Sequence, residues 1–270
     1  MTNPTPAASH HTGRLTRIAR FPVKGLSPQP LEAAELQPGR PIPGDRRFAL
    51  AHGGSAFDPA NPRWEKKAHF LNWARNPKIA ALHCAFDPGG TKITVADLDP
   101  ETSLGQIDDA DLATGEGRAA LEALVLQHME DRDTRGKVSV VEAPDAWFTD
   151  MPDPFISLQN TASLRDLGQH SGSDMFDWRR LRANLLVDGF DAWAERDWIG
   201  KRIRIGQAML EVAQPIGRCV ATHLDPDTAE KNLPVLDILQ NTYGNTDCGI
   251  YARVVEPGRI ALGDRVEIAG

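Results

Sequence analysis

Turn-forming pairs punctuate this chain: Pro38-Gly39, Pro43-Gly44, Asp87-Pro88-Gly89-Gly90, Pro257-Gly258 and Gly263-Asp264. Proline fixes φ and lacks an N–H donor, while glycine enters conformations closed to other residues, so each pair stops regular structure on both sides. What remains between them is short and mostly alternating. "GRLTRIARFPVKGLS" alternates apolar and polar residues from Leu15 to Phe21, a strand ended by Pro22. A second strand runs from Arg46 to Ala51, and "PKIAALHCAFDPGGTKITVADLD" reads as a hairpin turning at Asp87. Little helical periodicity precedes residue 115, which predicts a small antiparallel barrel or sandwich.

"EGRAALEALVLQHME" is the first convincing helix, apolar at Ala120, Leu121, Leu124 and Val125. From about Lys137 strands and helices mix. "KVSVVEA" and "LRANLLVDG" read as strands. "PFISLQNTASLRDLGQHSG" reads as a short strand and then a helix, with Ser163 and Asp166 at capping-box spacing. "WIGKRIRIGQAMLEVAQPIGRC" is a two-stranded unit turning at Gly206, "LPVLDILQNTYG" a helix, and "CGIYARVVEPGRIALGDRVEIA" a closing meander. The expected fold is α+β and mostly β: a β-barrel-like unit over residues 14–125, then a strand-rich unit with inserted helices over 126–270. Residues 1–13, rich in Pro, Ser, Thr and His, read as a disordered arm.

A net charge of −7 argues against nucleic acid as a partner and against an acidic membrane surface. No apolar run approaches the ~20 residues that span a bilayer, and "MTNPTPAASHHTG" has no basic start followed by an apolar stretch. Cys84, Cys219 and Cys248 are too few and too odd in number for a disulfide framework, which points to a reducing, cytoplasmic setting. No CxxC, GxGxxG or P-loop motif occurs.

One cysteine stands apart. "PIGRCVATHLDPDTAEKN" sets Cys219 after Arg218 and ahead of a polar, proline-punctuated turn. A thiolate serves as nucleophile or soft metal ligand, whereas most free cysteines are small buried hydrophobes. His223, four residues on, allows a Cys–His dyad or half a zinc site, or is a turn residue. Lys24 follows the first strand, Arg46 and Arg47 enter the second, and Arg182 and Asn184 share one face of "RANLLV". Asn160, Thr161 and Ser163 lie at a predicted helix N-terminus, which favours an anion. Together these donors suit a phosphate.

"RCVATHLDPDT" resembles the cysteine signature of the MOSC domain, the C-terminal module of molybdenum cofactor sulfurases, and most of all the stretch in mitochondrial amidoxime-reducing components and their bacterial relatives. "RIARFPVKGLS" and "GDRRFAL" resemble the β-barrel domain that precedes MOSC in that family. "FDWRRLRANLLVDG", "WIGKRIRIG" and "GIYARVVEPGRIALGDRVEI" follow in the family's order, so the likeness covers about residues 14 to 269. The resemblance implies a mononuclear molybdenum centre on one pterin, the molybdenum cofactor (Mo-molybdopterin), seated between the two halves. Cys219 then ligates the metal and is the catalytic cysteine. Arg218, Arg182 and Asn184 line the cofactor, Lys24 and Arg46 reach its phosphate, and Asn160, Thr161 and Ser163 supply a helix start that carries one extra residue here. The implied reaction is reduction of small N-hydroxylated substrates. The alternative is a carrier that holds sulfur as a persulfide on Cys219, or the cofactor, without turnover. Some bacterial relatives add an iron–sulfur domain after MOSC. Here too few cysteines follow, so a separate electron-donor protein is expected. "FDPANPRWEKKAHFLNW" departs from the family's Arg-rich, Pro-containing stretch and implies different access to the metal.

Overall fold

The computed structural model describes residues 12–97, 107–143 and 147–269. Most of the arm expected over residues 1–13 lies outside them, and Thr12 and Gly13 already belong to the first strand.

The strands in chain order are β1 (Thr12–Arg20), β2 (Gln29–Leu31), β3 (Ala33–Leu36), β4 (Phe48–Ala51), β5 (Leu82–Phe86), β6 (Lys92–Asp97), β7 (Ile107–Asp111), β8 (Ser139–Glu142), β9 (Ile156–Asn160), β10 (Leu185–Asp188), β11 (Arg202–Ile205), β12 (Ala208–Gly217), β13 (Asp247–Glu256), β14 (Gly258–Ala261) and β15 (Arg265–Ala269). The helices are α1 (Gly115–His128), α2 (Asp131–Thr134), α3 (Thr161–His170) and α4 (Val235–Tyr243). The fold is therefore α+β and mostly strand, as the turn punctuation requires.

Seven strands close into a barrel in the order β10-β9-β13-β12-β11-β15-β1, with β1 pairing back onto β10. Alternation fills it. Ile203 and Ile205 of β11 and Leu210 and Val212 of β12 are buried, while Arg204 and Glu211 between them are not. Leu15, Ile18, Leu158, Leu185, Val187, Ile250 and Val266 join the same core. Closure needs Gly13, because a Cβ there would meet the Asp188 carbonyl oxygen at 2.2 Å. β9 and β10 are parallel, and α3 lies on the crossover between them.

β1 was expected in the first domain, yet it is a barrel strand, and β8, from beyond residue 125, pairs with β4. The pairings thus cross the expected boundary between residues 125 and 126. The rest of the first half forms two small sheets, β4-β8 and β5-β6-β7, with α1 packed on β7 and β8 over a core of Phe48, Leu50, Leu82, Ile93, Leu121 and Val125. Among the described residues these sheets do not close into a ring. β3 pairs with β14 and so ties the first half to the closing meander.

Candidate functional site

β12 carries register shifts at Val212/Gln214 and at Pro215/Gly217 before it delivers Arg218 and Cys219. Such bulges bend a strand and re-aim the residues at its end. Cys219 adopts extended backbone and opens a 3-10 turn over Val220–His223, its carbonyl accepting from Thr222 N and Oγ1. Its thiol is partly exposed in a cavity of about 370 Å³.

That cavity draws on both halves of the chain. Lys24, Arg46, Arg182, Asn184, Arg218 and Cys219 all line it. Six of the nine residues that the family resemblance assigns to the site are therefore brought together. Arg46 and Arg182 face the same ring of Phe21, their guanidinium carbons 4.2 and 4.3 Å from its centroid. Both hold the left-handed backbone conformation, with φ of 49° and 52°. That conformation costs an L-residue about 1 kcal/mol and clusters at functional sites.

The cations differ in what already engages them. Arg46 donates twice to Asp45, and Lys24 donates to Asp150 Oδ1 at 2.6 Å and to the Phe148 carbonyl at 2.8 Å. Burial pushes the Lys24 pKa down against the pull of Asp150. Asp150 sits inside the cavity mouth, where desolvation raises its pKa, but Lys24 and Lys67 outweigh this and hold the carboxyl well below the usual range. Arg218 donates to the Cys248 carbonyl and, at 2.9 Å, to the Leu181 carbonyl, and has no carboxylate partner among its described contacts. Arg182 donates Nη1 to the Leu26 carbonyl at 2.9 Å, while its Nη2 is buried without a partner. Burial, with Arg46 beside it, lowers the Arg182 pKa. An orphaned guanidinium nitrogen next to a second cation is a place built for an anion, since an unpaired buried donor otherwise costs about 1–3 kcal/mol.

The other three residues lie elsewhere. Asn160 caps α3, its Oδ1 accepting from Ala162 N, and its Nδ2 donates to the Asp191 carbonyl and to Glu195. Ser163 Oγ donates to Glu195 Oε2 at 2.8 Å, and Thr161 Oγ1 donates to the Val187 carbonyl. None of the three lines the cavity: their polar atoms are spent on the β9–α3 junction and its buried Glu195. Asn184 lines the cavity but also straps three strands, its Oδ1 accepting from Ser157 N and Oγ while its Nδ2 donates to the Ala19 carbonyl.

His223 is no partner of Cys219. Its Nε2 accepts from Leu236 N at the first turn of α4, and its carbonyl accepts from Arg180. A Cys–His dyad is thereby set aside, and among the described residues no cluster of three or more His, Cys, Asp or Glu is placed to hold a metal. Arg180 also donates to Asp225 and Asn232, which fixes the "DPDTAEKN" loop. Burial pushes the thiols of Cys84 and Cys248 up to about 12, leaving them inert as ligands.

Sequence reasoning missed Asp150, Lys67, Ser157 and the stacked pair Phe155–Tyr251, whose ring centroids are 5.3 Å apart, all at the cavity. Lys67 lies in the stretch that departs from the family pattern. That stretch is clasped to the cavity wall by Trp64 Nε1, which donates to the Thr149 carbonyl, and by the edge-to-face trio Phe57, Phe70 and Phe148. "WEKKAHF" offered no signal, because charge runs usually face solvent.

The site is thus a cysteine at a bulged strand end of a closed barrel, facing a cavity wall rich in cations. Residues 145–267 match the MOSC domain family, and the chain carries a MOSC domain. It is similar to mitochondrial amidoxime-reducing component 1 of Mus musculus, 28% identical over 155 residues, which is 53% of this chain and 44% of that protein. It is also similar to mitochondrial amidoxime-reducing component 1 of Homo sapiens, 30% identical over 129 residues, or 43% of this chain and 37% of that one. The match thus spans less than half the length of these curated relatives. Among solved structures, the YuaD protein of Bacillus subtilis aligns over 95% of both chains at 14% identity with a TM-score of 0.44.

Proposed function

We propose that this protein is a molybdenum-cofactor-dependent oxidoreductase that reduces N-hydroxylated compounds, with Cys219 as the metal's protein ligand. The observation that carries the reading is the cavity: a partly exposed thiol shares it with two half-buried arginines that have no carboxylate partner, one with a buried, orphaned nitrogen. These residues fit a group with a soft metal at one point and a phosphate at another. The name of the relatives supplies the substrate class.

When bound, the cofactor supplies two-electron redox chemistry at the metal. Over a turnover the N-hydroxy compound takes up two electrons and two protons and leaves as the parent amine, amidine or base plus water. The protein's own residues bind and orient. Cys219 offers a thiolate. Arg46, Arg182 and Arg218 present planar donors to the anionic end, and Asn184 holds Ser157 in place beside them. Lys24 and Asp150 keep the cavity wall charged and rigid. Electrons come from a separate donor protein. Three unpaired cysteines suit a cytoplasmic setting, and among the described residues no helix is long and apolar enough to cross a membrane.

The test is metal analysis of freshly purified protein together with turnover of a benzamidoxime-type substrate by a chemical reductant. Stoichiometric molybdenum and reduction are expected. Cys219→Ser should fold normally and lose turnover at matched molybdenum content, because an alkoxide is a harder donor, while Cys84→Ser and Cys248→Ser should keep most activity. Full activity in Cys219→Ser ends the reading. Metal-free protein with an alkylatable Cys219 points instead to a carrier of sulfur or cofactor.

A further inference from the structure

We propose that Lys67 is a specificity residue of this site: its ammonium group selects ligands that carry a negative charge beside the Cys219 sulfur. The inference deepens the reading above by naming a substrate class, N-hydroxylated compounds that bear a carboxylate or similar anionic group near the N–OH.

Lys67 Nζ lies 3.9 Å from Cys219 Sγ and 3.6 Å from Asp150 Oδ2. Asp150 is shared, and its other oxygen is held by Lys24 at the much shorter 2.6 Å. Lys67 is thus only partly neutralised. Its side chain is 43% exposed where that of Lys24 is 9%, so an incoming ligand meets it first. Of the remaining cavity cations, Arg180 is paired with Asp225, and Arg46, Arg182 and Arg218 are assigned above to the cofactor's anionic end. Nor is Lys67 a loose surface lysine. Its carbonyl accepts from Asn72 Nδ2 at 3.1 Å, and the Trp64 and Phe57–Phe70–Phe148 contacts pin its segment to the wall that carries Asp150. A cation fixed at this distance favours an anion over its neutral isostere, by about fivefold when two unit charges ~4 Å apart are screened as in water.

The test does not depend on metal. In full-length cofactor-free protein at low salt, the rate of Cys219 alkylation by iodoacetate is compared with that by iodoacetamide, followed on the Cys219 peptide by mass spectrometry. Both reagents attack the same thiolate, so their ratio cancels any change in thiolate population. Lys67→Met should lower the iodoacetate:iodoacetamide ratio about fivefold. Lys67→Arg should restore it, and Lys66→Met, at the exposed neighbouring lysine, should leave it as in the parent. In molybdenum-loaded protein, Lys67→Met should raise KM for a carboxylate-bearing benzamidoxime and leave that for benzamidoxime unchanged. An unchanged alkylation ratio in Lys67→Met, or an equal change of KM for both substrates, overturns the proposal. Protein that carries no molybdenum defeats the proposed reaction and still leaves the alkylation ratio to decide the role of Lys67.

Discussion

Arg182 shows how much one residue is asked to bear. It sits at φ 52° and stacks on Phe21, and its Nη2 is buried and unpaired. Such a residue is better explained by what it binds than by stability, since apolar replacements of buried charges are often neutral or stabilising. Arg182→Met forfeits one hydrogen bond to the Leu26 carbonyl, about 1 kcal/mol, and the cation–π contact with Phe21, about 0.5–1 kcal/mol, and relieves a buried unpaired donor that costs about 1–3 kcal/mol. The melting temperature of cofactor-free Arg182→Met should therefore stay within about 4 °C of the parent. Cofactor retained on purification should fall at least tenfold, the ~1.4 kcal/mol of a single charge-assisted bond. A large drop in melting temperature together with full retention would assign Arg182 to the fold alone. Arg182 was visible in the sequence as a basic residue at a strand edge. Its orphaned nitrogen was not, because pairing depends on what Leu26 and Arg46 do far away in the chain. His223 misled for the same reason. Spacing to Cys219 hinted at a pair, but α4 supplies the N–H that its ring accepts.

At the scale of elements, alternation made most strands legible. Their partners were not, since β1 pairs with β10 and β15, which lie at the far end of the chain. The β9–α3 junction is a sharper case. Capping-box spacing put Ser163 at the helix start, yet Asn160 is the cap. The helix begins as soon as β9 ends, and tertiary partners claim the other two side chains: Ser163 binds Glu195, and Asp166 accepts from Trp193 and Tyr243. Glu195 is almost wholly buried, and its Oε1 has no partner. Burial raises its pKa against the bonds from Ser163 and Asn160. A carboxyl whose folded pKa exceeds its unfolded one loses stabilising effect as pH climbs from the unfolded value through the folded one. Glu195→Gln, which can keep the acceptor and never ionises, should match the parent in thermal melts near pH 4 and exceed it near pH 8 by about 1–3 kcal/mol, the cost of a buried unsatisfied oxygen. A gap that stays constant across that range would show that Glu195 is not the titrating group. Asn160→Ala should cost about 1 kcal/mol through the lost cap and leave the cavity's chemistry intact.

The whole molecule carries net charge −7, yet the wall of the Cys219 cavity gathers six cations, Lys24, Arg46, Lys67, Arg180, Arg182 and Arg218, against two carboxylates, Asp150 and Asp153. Such a contrast focuses anions toward one place while the exterior repels them. Asp150 is the hinge of this arrangement. It precedes β9 in the chain, and it binds Lys24 from the loop after β1 and Lys67 from the clasped segment, so one carboxylate ties three distant stretches to the cavity rim. Removing its charge strands the buried Lys24 ammonium, whose pKa burial already lowers. Breaking a fully buried pair costs about 3–5 kcal/mol. Because the Asp150 side chain is 49% exposed and water can reach the gap, about 2 kcal/mol is the expected loss for Asp150→Asn at neutral pH. The sign of the pH effect follows from the depressed carboxyl. Its contribution is present above the unfolded value near 3.9 and is lost as pH falls through the folded one. Melts of the parent and Asp150→Asn should therefore lie furthest apart near pH 7 and converge in acid, below about pH 4. Lys24→Met in the Asp150→Asn background should recover much of the loss, since it removes the stranded ammonium. A gap that persists unchanged in acid, or a double variant no more stable than Asp150→Asn, would mean that the three stretches are held by packing alone and that the charged rim serves only what the cavity binds.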